Sequence, residues 1–298
     1  MKFKTADVDM LHGPLTKKLL LFTLPIALSS ILQQLFNAAD TAVVGYFGNK
    51  DALAAVGTNT EIVALIVTVS SGLSIGANIL VANLIGKNRK NEIPSAVQGA
   101  VFCFANIFVQ ASVNGFGETA IAGSTVAMNF EYFTYYIITA FGQTATTFTG
   151  QNHAAGQRER YRKILWLCLL LSTVCSSIPI FTIVLFRSFF SGLLTPDPAV
   201  IESAGVRILC ILLFEPICNL YAIPAGALRG SGHALYPALS TMIGTCAFRI
   251  IWICTVFRAN PTLPLLYHAF PLSWVVTILL VGGGFLVIRC AEKASVKR

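Results

Sequence analysis

Apolar residues in this chain fall in blocks of roughly 20 or more, with short polar segments between them. About 20 residues of α-helix, rising 1.5 Å each, cross the roughly 30 Å of hydrocarbon in a bilayer. Eight blocks reach that length: 19–46, 53–85, 93–116, 121–148, 164–194, 201–228, 235–257 and 263–287. The pattern predicts an all-α, polytopic membrane protein with about eight transmembrane helices. The first block runs far beyond the short apolar core of a secretory signal and is expected to be a permanent span. Turn residues sit between blocks, at Gly48-Asn49, Gly117-Glu118, Thr195-Pro196-Asp197-Pro198, Gly230-Ser231-Gly232 and Asn260-Pro261. No segment between blocks is long enough to fold by itself, so function is expected among the helices.

Composition agrees with this reading. Of 298 residues 55% are hydrophobic and 11% charged, and the mean hydropathy is +0.72; soluble domains carry about 25% charged residues. A net charge of +8 raises the question of nucleic acid, and the placement of that charge answers it. With the amino terminus inside and eight crossings, one side receives Lys17, Lys18, Lys87, Arg158, Arg160, Arg229 and their neighbours, sixteen of the twenty-one Lys and Arg. The other side receives Lys50, Arg187 and Arg258, while Arg207 and Arg249 fall within spans. Such asymmetry is the positive-inside pattern, with basic residues against anionic lipid and both termini cytoplasmic. It gives no reason to expect nucleic acid as a partner. The eight cysteines lie in or at the ends of apolar blocks without a CxxC pair and read as small packing residues.

The chain also echoes itself. Phe47-Gly48 followed by Ala52-Leu53-Ala54 recurs as Phe116-Gly117 followed by Ala120-Ile121-Ala122, and the polar exits 83–89 and 151–157 stand at the same offset. Two helical hairpins of one orientation are implied, as in carriers built from parallel repeats.

Polar side chains within spans are costly and each asks for a reason. In the first span Ser30, Gln33, Asn37 and Asp40 form a stripe at i, i+3, i+7 and i+10. Asp40 lies six residues from the outer end, deep enough to leave bulk water, and could load a proton or hold Na⁺, or simply hydrogen-bond a neighbouring helix. In the fourth span Asn129, Tyr132, Tyr136, Thr139, Gln143 and Thr147 follow helical spacing with Glu131 beside them. That stripe suits either a cavity for flat organic cations, through cation–π and dispersion contacts, or hydrogen bonding between helices. Glu215, followed by Pro216 and Asn219, lies within the sixth span, where Arg207 two turns earlier could neutralise it. Glu61 reads as interfacial, Pro25 and Pro179 as sites of helix bending, and Ser70 to Gly76 as a close-packing stretch. No HExxH, Walker loop, GxSxG or paired-carboxylate enzyme motif stands out, so neither an enzyme nor a metal or organic cofactor is expected.

Leu24-Pro25-Ile26, Asn37-Ala38-Ala39-Asp40-Thr41 with Gly45, Ala52 to Gly57, Gly72 to Gly76, Thr149-Gly150-Gln151-Asn152 and Ala227 to Gly232 together resemble the multidrug and toxic compound extrusion (MATE) transporters. The resemblance is to the bacterial DNA-damage-inducible-like branch and covers nearly the whole chain. It implies an inner-membrane antiporter of two six-helix lobes that exports organic cations in exchange for H⁺ or Na⁺. Asp40 matches the first-helix coupling carboxylate, Pro25 the bending proline, and Glu131 and Glu215 the carboxylates of the second lobe. Gln33, Asn37, Asn129, Tyr136, Gln143 and Asn219 are the expected cavity residues. The chain departs from twelve spans by passing near 99–102 from the second span into the seventh. Residues 1–98 would then be a truncated first lobe and 99–298 the second, with spans three to six absent, activity at risk and self-association a way to cover exposed polar faces. A lipid-linked oligosaccharide flippase and an inactive truncated membrane protein are the alternatives.

Overall fold

The computed structural model describes residues 9–48, 50–59, 62–63, 66 and 93–295, the side chains at some positions of 93–104 and beyond 288 excepted. Every element in it is helical. These are α1 (Leu15–Phe47), α2 (Ile93–Asn114), α3 (Glu118–Ala154), α4 (Arg158–Leu185), the short α5 (Arg187–Gly192) and α6 (Pro198–Cys210). A 3-10 segment, Leu212–Cys218, joins α6 to α7 (Asn219–Gly230). Next come α8 (Leu235–Thr241) and α9 (Phe248–Trp252), with π-helical stretches Met242–Ala247 and Ile253–Phe257, then α10 (Leu263–Tyr267) and α11 (Ala269–Ser295).

Among the described residues, five stretches have the length and hydropathy to cross a membrane: Leu15–Phe47, Arg158–Leu185, Pro198–Gly230, Leu235–Phe257 and Leu263–Ile288. The protein is a polytopic helical membrane protein. The third apolar block forms α2, and most of the second, with Glu61 and the 70–76 stretch, lies outside the described residues.

The fourth block, α3, is the longest helix at 37 residues yet is not one of those five. Its place in the bundle accounts for that. It packs against α1, α4, α6 and α7, so protein rather than lipid surrounds it, and it can carry the buried polar residues Ser124, Thr125, Asn129, Thr134, Thr144, Thr149 and Asn152. Among helices in lipid, such residues act as interhelical glue. The α3–α7 contact is a seam of small residues. A Cβ on Gly226 would stand 2.5 Å from the Gly142 carbonyl oxygen, and one on Gly230 would stand 2.3 Å from that of Thr146. The two backbones therefore touch, which maximises dispersion where no hydrophobic effect drives helices together.

The ends of the bundle follow from local chemistry. Asp197 accepts from the Ala199 and Val200 amides (2.9 and 3.4 Å) and Pro198 follows it, an N-cap and N1 pair that starts α6 sharply. At the other end, Gly156 takes the left-handed φ of 70° that terminates α3. There Arg160 donates to the carbonyls of Met10, His12 and Gly13, so the segment entering α1 is strapped to the start of α4. α1 runs unbroken through Pro25.

Candidate functional site

Helices α2, α3 and α11, the 3-10 segment with the flanking parts of α6 and α7, and the region of α9 line a cavity of about 90 Å³, room for roughly half a dozen waters. Its walls are aromatic and charged: Phe102, Tyr132, Tyr135, Phe270 and Trp274 alternate with Glu131, Glu215, Arg207 and Arg249. Asn106 and Gln110 of α2 complete the polar lining.

The four charges are arranged unequally. Arg207, 4% exposed, meets Glu131 through a two-pronged contact, Nε to Oε1 at 2.6 Å and Nη2 to Oε2 at 2.8 Å, and donates through Nη1 to Ser124 Oγ at 2.6 Å. Fork-to-carboxylate geometry of this kind is the strongest form of side-chain ion pair. The guanidinium also lies 5.3 and 5.5 Å from the ring centres of Tyr267 and Phe270. Arg207 therefore neutralises Glu131, not Glu215. The reason is the break in the helix: α6 ends at Cys210, and Leu212–Cys218 winds as a 3-10 helix. The tighter winding spoils the i to i+8 alignment of an unbroken α-helix. Glu215, 4% exposed, instead accepts a hydrogen bond from the Thr134 hydroxyl of α3.

Arg249 is buried to 1% exposure and has neutral partners: Nε donates to Ser273 Oγ at 3.2 Å and Nη1 to Asn106 Oδ1 at 3.3 Å. Its guanidinium carbon lies 3.9 Å from the Phe270 ring centre and 5.6 Å from that of Phe102. Among the described residues, no group of three or more His, Cys, Asp or Glu is placed to hold a metal ion.

The residues singled out in the sequence divide among several places. Glu131, Glu215 and Tyr132 meet at the cavity. Asn129 turns the other way, toward α1, where it accepts from Gln34 Nε2 (3.1 Å) and donates to Thr41 Oγ1 (3.2 Å). Asn219 binds α4 through the hydroxyls of Ser172 and Ser176 and reaches back to the Pro216 carbonyl. Tyr136 stacks on Tyr132 at 6.2 Å, beyond the cavity lining, and Gln143 is exposed. Asn37 donates to Gln34 Oε1 at 3.3 Å. Gln33 and Asp40 are exposed on α1, and Asp40 makes no hydrogen bond or ion pair among the described residues. Pro25 is exposed within α1. The helical-face reading missed Met128 and Tyr135 of α3 itself and, on other helices, Phe102, Asn106 and Gln110 of α2, Arg249, Phe270 and Trp274. Two of them carried a usable signal, since Arg249 is an in-span cation and Gln110 an in-span amide.

A bundle of membrane-crossing helices with an aromatic, charge-lined cavity among them is the build of a membrane transporter. The sequence profile of the MatE family matches residues 25–105 and 94–254, and the chain belongs to that family of transporters. It is 29% identical over 165 residues to the "Probable multidrug resistance protein NorM" of Thermotoga maritima, covering 53% of this chain and 34% of the relative. Over 135 residues it is 31% identical to the "Multidrug resistance protein PmpM" of Pseudomonas aeruginosa, covering 44% of this chain and 28% of the relative. A NorM of Neisseria meningitidis serogroup B matches at 29% identity over 123 residues, 41% of this chain and 27% of the relative. The chain spans about a third of the length of the curated relatives it matches.

Proposed function

We propose that this chain is a secondary antiporter that moves flat organic cations out across the plasma membrane in exchange for H⁺ or Na⁺, with its working site in the cavity around Glu215. The observation that carries the reading is the pairing of a buried carboxyl having one hydroxyl donor, Glu215, with walls of Tyr132, Tyr135, Phe270 and Trp274. Aromatic faces attract a desolvated cation, and a carboxylate alternately holds the coupling ion and the substrate. The multidrug resistance names of the relatives support small drug-like substrates.

Three finer features belong to the same reading. The chain is a shortened member of the DNA-damage-inducible-like branch, with residues 1–98 the remnant of the first lobe and 99–298 the second. Consistent with this, the first profile match is about half as long as the second, and Asp40 stands exposed instead of caged. Coupling therefore rests on Glu215, while Asp40 contributes little. Both termini face the cytoplasm: the strap at 9–14, held by Arg160, shares its end of the bundle with Lys17, Lys18, Arg158, Arg162 and Lys163, against Lys50, Arg187 and Arg258 at the other end. Among the described residues Glu131 neutralises Arg207, and Arg249 is matched in number by Glu215, so the cavity lacks the excess of positive charge that the anionic head group of a lipid-linked oligosaccharide calls for.

Counterflow of a fluorescent cationic dye in proteoliposomes, under imposed H⁺ or Na⁺ gradients, tests the proposal. Wild type and Asp40→Asn should accumulate dye under one gradient, and Glu215→Gln should not. Equal dye movement in empty vesicles and in all three proteins would overturn it and leave the inactive-remnant reading standing.

A further inference from the structure

α1 is fastened to the rest of the bundle along one side, from end to end. Beside the strap, Asn152 donates to the Met10 carbonyl at 3.0 Å, and Leu19 is buried in one cluster with Phe148 and Ile164. Midway, Thr23 bonds Thr144 at 2.8 Å, and Gln34 and Thr41 both bond Asn129. At the other end the Tyr46 hydroxyl donates to the Gly192 carbonyl at 2.6 Å, and a Cβ on Gly45 would stand 2.0 Å from the Leu194 carbonyl oxygen. Held this way, α1 cannot roll its other flanks inward.

Those flanks differ from each other. Leu21, Leu24, Leu28 and Leu35 share one exposed face that is wholly apolar and suits lipid. α4 looks the same, since every exposed residue between Trp166 and Phe181 is apolar. The neighbouring flank of α1 is unlike either. Ser29, Gln33, Phe36, Asp40, Val43 and Phe47 are all exposed and recur at alternating intervals of four and three residues. That is the heptad seam by which one helix meets another. Phe36 is 74% and Phe47 89% exposed, and Gln33 and Asp40 make no hydrogen bond or ion pair among the described residues. A carboxyl and an amide turned toward hydrocarbon are costly, and a facing helix relieves that cost. The helix that follows α1 starts elsewhere: Leu53 is buried with Ala122, Val126 and Ala204, and a Cβ on Gly57 would strike Thr125, so residues 50–59 run along α3.

We propose that the seam from Ser29 to Phe47 is a docking face for a second copy of this chain, with the two α1 helices parallel about a twofold axis normal to the membrane. Copies of one chain enter the bilayer in one orientation, so each seam residue meets its counterpart at the same depth. An isologous contact of this kind needs a self-complementary surface. The Gln33 amide is both donor and acceptor and answers itself. Asn37, one turn before Asp40, spends one amide N–H on Gln34 and has the other to offer the carboxyl across the seam. Phe36, Val43 and Phe47 supply the apolar layers between, and polar groups within an apolar seam fix its register. Docking on this face is independent of whether the cavity around Glu215 is the working site.

Site-directed photocrosslinking of the full chain in liposomes tests this. Benzoylphenylalanine is put in place of Phe36 or Val43, light and isotopically heavy chains are mixed before reconstitution, and adducts are mapped by mass spectrometry. Irradiation should give a species of twice the chain mass whose joined peptides pair light with heavy and both come from α1. The same probe in place of Leu170 or Ile178, on the exposed face of α4, should label lipid. Replacing Gln33→Leu and Asp40→Leu together makes the seam wholly apolar without touching the buried side of α1, and should lower the doubled species about 10-fold at a fixed lipid ratio. Asp40→Asn, which keeps the hydrogen-bonding group, should retain it. Lipid adducts alone at Phe36 and Val43 overturn the docking face. So do adducts joining α1 to residues 64–92 of the same isotope, which would mean that the chain covers its own seam. Doubled species formed equally from the α4 positions, or left undiminished by the paired leucine replacement, show collision instead of docking and overturn it as well. Dye transport is scored separately, so loss of one result leaves the other standing.

Discussion

Replacing Glu131 by Leu strands a guanidinium. Arg207 is 4% exposed, and of its three short contacts two go to Glu131 and one to Ser124. Removing the carboxylate leaves one hydroxyl and two ring faces at 5.3 and 5.5 Å to balance a charge that cannot be neutralised by losing its proton. Breaking a buried pair from one side costs about 3–5 kcal/mol. The matched double replacement, Glu131→Leu with Arg207→Met, removes both charges and fills similar volume. It should bring stability back to wild type or above it, since such exchanges range from neutral to about 4 kcal/mol stabilising. The assay is equilibrium unfolding in mixed detergent micelles by added dodecyl sulfate, followed by helical circular dichroism, with each single variant measured to complete the cycle. If Glu131→Leu alone costs less than about 0.5 kcal/mol, the scale of a surface change, Arg207 is solvated and the buried pair described above is wrong. Additivity of the two single effects within about 0.5 kcal/mol would equally deny the pair.

Two further outcomes follow from packing and from the bundle ends. Gly226→Ala places a methyl 2.5 Å from the Gly142 carbonyl oxygen and should cost about 1–3 kcal/mol as α3 and α7 are pried apart. Gly142→Ala, whose methyl meets nothing nearer than 3.8 Å, should be neutral or mildly stabilising in the same unfolding assay, because Ala is the better helix former. Equal loss in both would refute the backbone seam. At the other end, Lys50 bonds Asp197 at 2.9 Å. That hydrogen bond, and after it those from the Ala199 and Val200 amides, hold the Asp197 carboxyl below its ordinary range. A carboxyl depressed in the folded state adds stability above its unfolded pKa of about 4, and that stability is lost as pH falls through the lower folded value. Asp197→Asn should therefore flatten the thermal-stability profile of the chain below about pH 4 while leaving its slope near neutrality unchanged. An unchanged acid profile would contradict the link.

The membrane-spanning architecture was legible because block length is set by bilayer thickness, a constraint that acts on each helix separately. The exception is instructive. α3 reads as an apolar block, but its buried Thr and Asn residues lower its hydropathy below that of its lipid-facing neighbours, because other helices enclose it. The site was less legible. A helical-face argument gathers Asn129, Tyr132 and Tyr136 together, yet each side of α3 meets a different helix, so Asn129 serves α1 while Tyr132 faces the cavity. Which neighbour lies opposite is long-range information that periodicity does not contain. The same holds for α1. The stripe through Gln33 and Asp40 is exposed, and the buried polar side is Thr23, Gln34 and Thr41, with Thr23 bonded to Thr144 of α3 at 2.8 Å. Pro216 pointed to a disturbed helix at Glu215, but the 3-10 winding that redirects Arg207 to Glu131 is a property of the assembled bundle.

Where a transported molecule sits is the question on which the account turns, and photocrosslinking answers it most directly. A flat aryl-azide cation, irradiated with the purified chain and mapped by peptide mass spectrometry, should label Met128, Tyr132 or Tyr135 of α3 and Trp274 of α11, all at the cavity wall. Excess unlabelled dye should suppress those adducts, and Glu215→Gln should weaken them. Adducts confined to the exposed face of α1 around Gln33 and Asp40, with the cavity peptides unlabelled, would contradict the assignment of the site.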